Sequence, residues 1–278
     1  MEERVRLGIF GLGKMGTLHL EKYLKHRSVE IVGFYEPDPV RSKEVEKKYS
    51  ILQFKNPEEL LFEADAVVVA SPTPSHYLTA RLALLSGVHV LVEKPIAETV
   101  RQAEELVRIA SDQELVLQVG FAERFRLMRL MAVCPEAPPI FVDAERYTAS
   151  LGRAKNIDVV PDLMLHDLDL VLSLMREEPS RILASGTTLV REKTDVAVAH
   201  LDFASGAMAS LRVSRVSSKQ VRKLEILYES AVAKIDFLEN RVDVSYGNPG
   251  GDPEHRVYEL GKMDPLLAQC ESFINCVR

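Results

Sequence analysis

Val5-Arg6-Leu7-Gly8-Ile9-Phe10-Gly11-Leu12-Gly13-Lys14-Met15-Gly16 follows four charged or polar-flanked residues at the start of the chain. The first half is a short apolar run, as in a strand buried on both faces. The second half carries glycine where a tight strand-to-helix turn needs it. Gly11 permits the turn, Gly13 lets a pyrophosphate approach the backbone, and Gly16 lets helix and strand pack closely. The predicted helix, residues 14–25, has Met15, Leu18, Leu20, Tyr23 and Leu24 as its apolar positions. Its free N–H groups and positive dipole end would face the phosphates, which adds Lys14 and Met15 to the cofactor-binding candidates. Glu36 lies about 20 residues beyond the loop, at the end of the next strand, where a carboxylate accepts hydrogen bonds from an adenosine ribose. The plainer alternative is a glycine-rich turn with a solvated glutamate.

Working outward, the same alternation continues. Residues 29–35, 64–70, 88–92 and 115–119 read as strands, and residues 39–49, 74–86 and 99–111 as helices. Strand and helix in strict alternation imply a doubly wound parallel sheet with right-handed crossovers, a Rossmann-type α/β domain over residues 1–120. After Gly120 the pattern changes. Residues 123–133 look helical, Pro135, Pro138 and Pro139 break the run, 140–148 is a strand, and 161–175 is a strongly apolar helix. From residue 181 onward strands dominate, with a hairpin turn at Ser205-Gly206. Residues 121–278 are therefore expected to form one α+β domain with a large open, mostly antiparallel sheet.

Composition narrows the function classes. A length of 278 residues suits two domains, and 46% apolar with 27% charged residues suits a globular core. The net charge of −6 argues against a nucleic-acid partner, which needs surplus Lys and Arg. The longest apolar runs, such as 66–70, are too short for a bilayer, so no membrane partner is expected. The acidic start leads straight into a strand, which reads against a signal peptide. Three cysteines, Cys134, Cys270 and Cys276, form no CxxC pair and suggest free thiols in a reducing cytoplasm.

Three further stretches carry chemistry. Ser71-Pro72-Thr73-Pro74-Ser75-His76 follows a strand at the carboxyl edge of the sheet, where ligands bind. Ser71 and Thr73 can donate to a cofactor, and Pro72 and His76 here, with Glu93 and Lys94 of the next loop, join them as cofactor-binding candidates; alternatively Thr73 or Ser75 caps the next helix. Glu93-Lys94-Pro95 opens on the same edge. Lys94 there can stabilise a developing alkoxide, with Glu93 holding its ammonium, or the two form a plain surface pair. In residues 158–170, Asp162, His166, Asp169 and Ser173 fall at i, i+4, i+7 and i+11 of a helix otherwise built of Leu, Met and Val. Such a histidine flanked by carboxylates suits proton transfer near neutral pH. The alternative is a capped helix start with His166 in the core. The spacing is poor for zinc, so no metal is expected.

Taken together, Gly11 to Gly16, Ser71-Pro72-Thr73 with His76, Glu93-Lys94-Pro95, Gly120-Phe121 with Arg124-Phe125, and Asp162-x-x-x-His166-x-x-Asp169 resemble the Gfo/Idh/MocA family of NAD(P)-dependent oxidoreductases. The resemblance implies that Lys94 and His166 are catalytic and that Asp162 positions the substrate. It implies a homo-oligomer formed through the C-terminal sheet, and a sugar, cyclitol or sugar-nucleotide substrate. It also places a further helix, returning to the first domain, beyond residues 264–278. The wording of 158–169, preceded by Gly152-Arg153, is similar to the branch that oxidises the 3-hydroxyl of UDP-N-acetylglucosamine, with Arg124 and Arg153 as substrate-binding cations. The expected cofactor is NAD rather than NADP, because Glu36 would repel a 2′-phosphate. Inositol or monosaccharide dehydrogenation, and a non-catalytic NAD-binding regulator, remain as alternatives.

Overall fold

The computed structural model describes residues 4–149, 157–189, 192–247 and 252–278. Its first unit runs β1 (Val5–Phe10), α1 (Lys14–Tyr23), β2 (Val29–Tyr35), α2 (Pro39–Tyr49), α3 (Pro57–Glu63), β3 (Ala66–Val69), α4 (Thr73–Leu85), β4 (His89–Val92), α5 (Val100–Asp112) and β5 (Leu117–Val119). The strands pair in the order β2-β1-β3-β4-β5, all parallel. Alternate residues explain why helices cover both faces. Ala66 and Val68 of β3 join one core with Leu7, Ile9 and Leu91, whereas Val67 and Val69 join another with Phe10, Val90 and Val92. Strand order reverses between β1 and β3, the switch point at whose carboxyl edge sheets of this kind bind ligands.

The second unit contains α6 (Glu123–Met131), β6 (Phe141–Ala149), a π-helical turn (Val160–Met164), α7 (Leu165–Met175), β7 (Pro179–Thr187), β8 (Val196–Phe203), β9 (Met208–Ser214), β10 (Val216–Leu227), β11 (Ala231–Asp236), β12 (Arg241–Tyr246) and β13 (Glu254–Glu259). Its sheet has the order β13-β12-β11-β10-β6-β9-β8-β7. Strands β6 and β9 run parallel, and the other neighbours are antiparallel. One sheet face carries the core, including Val142, Ala144, Leu201, Leu211, Leu224, Ile226 and Ile235, with Leu170 and Val171 of α7 packed in the same cluster.

The last helix, α8 (Pro265–Val277), corrects the expected domain division. Contacts group Asp264–Arg278 with Met1–Ala122, and leave Glu123–Met263 as the second unit. Hydrophobic spacing is the cause: Leu266, Cys270, Phe273 and Ile274 line one helical stripe and are buried in the core that holds Leu20 and Tyr23. Asp264 caps this helix by accepting from the Leu267 N–H at 3.1 Å, and also pairs with Lys22 of α1. Residues 264–278 thus themselves form a helix on the first unit. Two other elements, α3 and β13, have no counterpart in the sequence reading. The expected single helix over 161–175 begins instead as the π-helical turn.

Candidate active site

The glycine loop between β1 and α1 divides by exposure. Gly11 and Gly16 are buried, whereas Gly13, Lys14 and Met15 face outward. Gly11 has φ +82°, and a Cβ there would lie 2.6 Å from the Ser71 backbone. A Cβ on Gly16 would stand 1.9 Å from the Gly11 carbonyl oxygen. Nothing lies within 4 Å of the Cβ position of Gly13, so the loop has open space where a pyrophosphate needs it. No side chain caps the N-terminus of α1, and its first turn holds no acid. Those N–H groups fit an anion, and the loop fits a dinucleotide.

Glu36 is tied to this loop. Its Oε2 accepts from the Leu12 N–H at 2.7 Å and its Oε1 from the Asp38 N–H at 3.0 Å. The carboxylate is therefore oriented before any ribose arrives. Arg41 also folds onto the loop, donating from Nε to the Leu12 carbonyl at 2.6 Å and from Nη2 to Thr17 Oγ1 at 2.8 Å.

The loops after β3 and β4 differ from expectation in detail. Helix α4 starts at Thr73 with Pro72 as its N-cap and no capping side chain, so neither Thr73 nor Ser75 acts as a cap. Ser75 Oγ instead lies 2.7 Å from Ser71 Oγ and 2.8 Å from the Pro72 carbonyl. His76, expected among the cofactor contacts, is buried. Its Nδ1 is 2.8 Å from the Pro95 carbonyl and its Nε2 is 2.7 Å from the Ser71 carbonyl, so both ring nitrogens are taken by backbone. Glu93, expected to hold the Lys94 ammonium or meet the cofactor, is buried with Oε1 2.7 Å from Nε2 of His19. Lys94 is half-buried at the end of β4.

In the second unit the expected polar stripe is broken up by arginines from neighbouring elements. Asp169 is buried and receives Arg124 Nε at 2.7 and 2.8 Å. Arg124, expected to meet substrate, is thus engaged with the His166 helix. Asp167, on the inner side of α7, takes three hydrogen bonds of 2.7–3.0 Å from Arg146. Arg146 also pairs with Glu123, which Arg222 reaches at 3.0 Å. Burial alone would raise the Glu123 carboxyl, but Arg146 and Arg222 outweigh it and hold it at about 2. Burial pushes the Asp167 and Asp169 carboxyls up, against the pull of their arginines. Asp162 stands in the π-helical turn, 3.8 Å from the buried Arg215. His166 occupies the first turn of α7, half-buried. Ser173 bonds back to the Asp169 and Leu170 carbonyls at 2.7 and 3.0 Å, leaving the stripe. Arg153, with Gly152 and Lys155, lies outside the described residues.

Residues 5–121 match the family model described as "Oxidoreductase family, NAD-binding Rossmann fold", and residues 141–234 match the GFO/IDH/MocA C-terminal domain. The chain belongs to the Gfo/Idh/MocA oxidoreductase family. Its first unit is the NAD-binding Rossmann domain of that family. A UDP-N-acetylglucosamine 3-dehydrogenase of Acidithiobacillus ferrooxidans is 32% identical over 98% of this chain and 88% of its own. A solved structure of that dehydrogenase superposes with a TM-score of 0.92, covering 99% of this chain and 89% of the other. A myo-inositol 2-dehydrogenase of Thermotoga maritima is 26% identical over 76% of this chain and 69% of its own. Against this Gfo/Idh/MocA background, sequence reasoning missed His19, Glu123, Arg146 and Arg215. Only Arg146 left a signal: with Val142 and Ala144 it takes an inward position of β6, where an arginine demands carboxylates.

Proposed function

We propose that this oxidoreductase moves hydride between NAD and the 3-hydroxyl of UDP-N-acetylglucosamine. The observation that carries this reading is similarity along nearly the whole chain to a dehydrogenase of that substrate, at 32% identity. Lys94, His166 and Asp162 keep the residue types the chemistry needs. His166 accepts the hydroxyl proton, Lys94 stabilises the oxygen as its charge develops, and Asp162 orients the sugar through a hydroxyl. NAD supplies the hydride acceptor. Ser71 and Thr73 contribute hydroxyls to its binding, and Glu36 favours a free ribose 2′-hydroxyl over a phosphate.

The test is reduction of NAD, followed at the nicotinamide absorbance band, with UDP-N-acetylglucosamine beside free N-acetylglucosamine and inositols at equal concentration. A ketone trap keeps the product from accumulating. Faster turnover of a free cyclitol or sugar overturns the substrate assignment. One observation favours that second reading: a diphosphate wants cations, and Arg124 is engaged with Asp169. No turnover with any hydroxyl substrate would instead support a regulatory NAD-binding protein.

A homo-oligomer and a cytoplasmic setting complete the proposal. Strand β7 is exposed along nearly all its length, with Ile182 and Leu183 60% and 52% exposed, which suits a second copy of the chain. Sedimentation velocity reads the assembly state. Cys134, Cys270 and Cys276 are all free thiols, in keeping with a reducing compartment. No helix among the described residues is long and apolar enough to cross a membrane.

A further inference from the structure

The turn that carries Lys94 is flanked by a fully buried histidine on each side. On the Glu93 side, His19 of α1 has no exposed surface. Its Nε2 lies 2.7 Å from Glu93 Oε1, and its Nδ1 lies 3.6 Å from Cys270 Sγ on α8. Burial pushes the Cys270 thiol up to about 12, so the thiol keeps its proton and can donate to Nδ1. That leaves Nε2 as the protonated nitrogen, donating to the carboxylate. Tyr23 stacks on the same ring, with centroids 6.2 Å apart and planes 15° from parallel. The Glu93 carboxylate is boxed from below as well: a Cβ on Gly120 would stand 2.9 Å from it.

On the Pro95 side, His76 of α4 is 1% exposed and bridges the Pro95 and Ser71 carbonyls. Both partners are backbone carbonyls 2.7–2.8 Å from the ring, so the ring nitrogen that carries the proton donates to the carbonyl it faces and the ring is wedged between the two. The loop after β3 and the turn after β4 are therefore tied to one rigid ring. Lys94 stands between these two anchors on a flexible four-carbon stem. An ammonium on such a stem is only as well placed as the backbone that starts it, and misplacement by about 1 Å costs on the order of a hundredfold in rate.

We propose that His19 and His76 are positioning residues that aim the Lys94 ammonium, His19 through the Glu93 carboxylate and His76 through the Pro95 carbonyl. The proposal rests on the reading of Lys94 as a catalytic group given above. It separates two kinds of substitution at each histidine. An Asn amide reproduces a donor or acceptor near the Nδ1 position, and a Gln amide one near Nε2. His19→Gln therefore keeps the link to Glu93, and His19→Asn loses it. His76→Asn keeps the link to Pro95, and His76→Gln loses it while retaining Ser71.

The experiment measures four quantities on the full chain. They are kcat and KM with NAD and UDP-N-acetylglucosamine, NAD affinity by calorimetry, thermal midpoint, and the pH midpoint of Lys94 acetylation by acetic anhydride, read by peptide mass spectrometry. His19→Asn and His76→Gln should each lower kcat by about tenfold or more and leave NAD affinity within about threefold. Both should also shift the Lys94 acetylation midpoint by about half a pH unit or more. His19→Gln and His76→Asn should recover most of kcat and the wild-type midpoint. Four variants that behave alike, or that lose thermal stability while kcat and the acetylation midpoint stay at wild-type values, overturn the proposal. If His19→Asn does not fold, the His76 pair alone decides, with the same expected outcome. Lys94→Ala is measured in parallel. Should it keep its turnover, the catalytic reading of Lys94 falls, and the acetylation midpoint, which needs no substrate, still decides whether the histidines set the environment of that amine.

Discussion

Lys94 and His166 rest on supports of opposite kinds. Around Lys94 the supports are two buried histidines, His19 against the Glu93 carboxylate and His76 between two backbone carbonyls. Around His166 they are ion pairs: Arg146 with Asp167 and Glu123, Arg222 with Glu123, and Arg124 with Asp169. Hydrogen bonds to backbone fix a turn by direction and cost little to bury. Buried ion pairs gain little net stability, yet they punish the loss of one partner, because the other charge is left without water or counter-charge. The first arrangement suits a group that must be aimed. The second suits a helix that must hold several acids close to one histidine, each tied to an arginine.

The sharpest break in this contrast is Arg146→Met. It strands the buried Asp167 and leaves Glu123 to Arg222 alone, and unfolding in urea should show a loss of about 3–5 kcal/mol. Deletion of either side chain of the proposed catalytic pair should act on rate rather than stability. Lys94→Ala and His166→Ala are each expected to lower kcat by about a hundredfold or more, with NAD affinity by calorimetry little changed. Acid should separate the two supports as well. The folded Glu123 carboxyl sits at about 2, below its ordinary 4.5, so its contribution is fully present above pH 4.5 and is lost as the pH falls from there toward 2. Urea midpoints should decline across that window, and the decline should shrink in Glu123→Gln. Glu36→Ser should move the ratio of kcat/KM for NAD over NADP toward NADP by about tenfold, since Arg41 already lies against the same loop. As a control away from both supports, Thr99→Ala removes the capping box of α5 and should cost about 1 kcal/mol in a thermal or urea melt.

The glycine loop was legible because its demands are local. Steric crowding at Gly11 and Gly16 is written in three glycines within six residues of one strand end. Strands β1, β3 and β4 were legible because both faces are buried and the runs are apolar but for Arg6 and His89 near their starts. The supports were not legible, because their partners are remote. Cys270 meets His19 across 251 positions, and His76 bonds to carbonyls that any residue could supply. The stripe of Asp162, His166 and Asp169 assumed a regular helix, and the π-helical turn at Val160–Met164 offsets Asp162 from the rest. Asp167, outside that stripe, proves as firmly tied as Asp169, because its partner Arg146 comes from β6. The domain limit was misplaced for the same reason: α8 follows the second unit in sequence but carries apolar residues that fit α1.

That placement of α8 has a consequence for how the protein is made. Leu266, Cys270, Phe273 and Ile274 leave the ribosome only after all of Glu123–Met263 has been synthesised. At translation rates of about 5–20 residues per second, the apolar flank of α1 waits on the order of ten seconds for its covering helix. During that wait Leu20, Tyr23 and the edge of His19 that Cys270 later meets form a greasy, accessible face on the nascent chain, the kind of surface that chaperones hold. The intervening unit thus sets a delay between the birth of the nucleotide-binding fold and its closure.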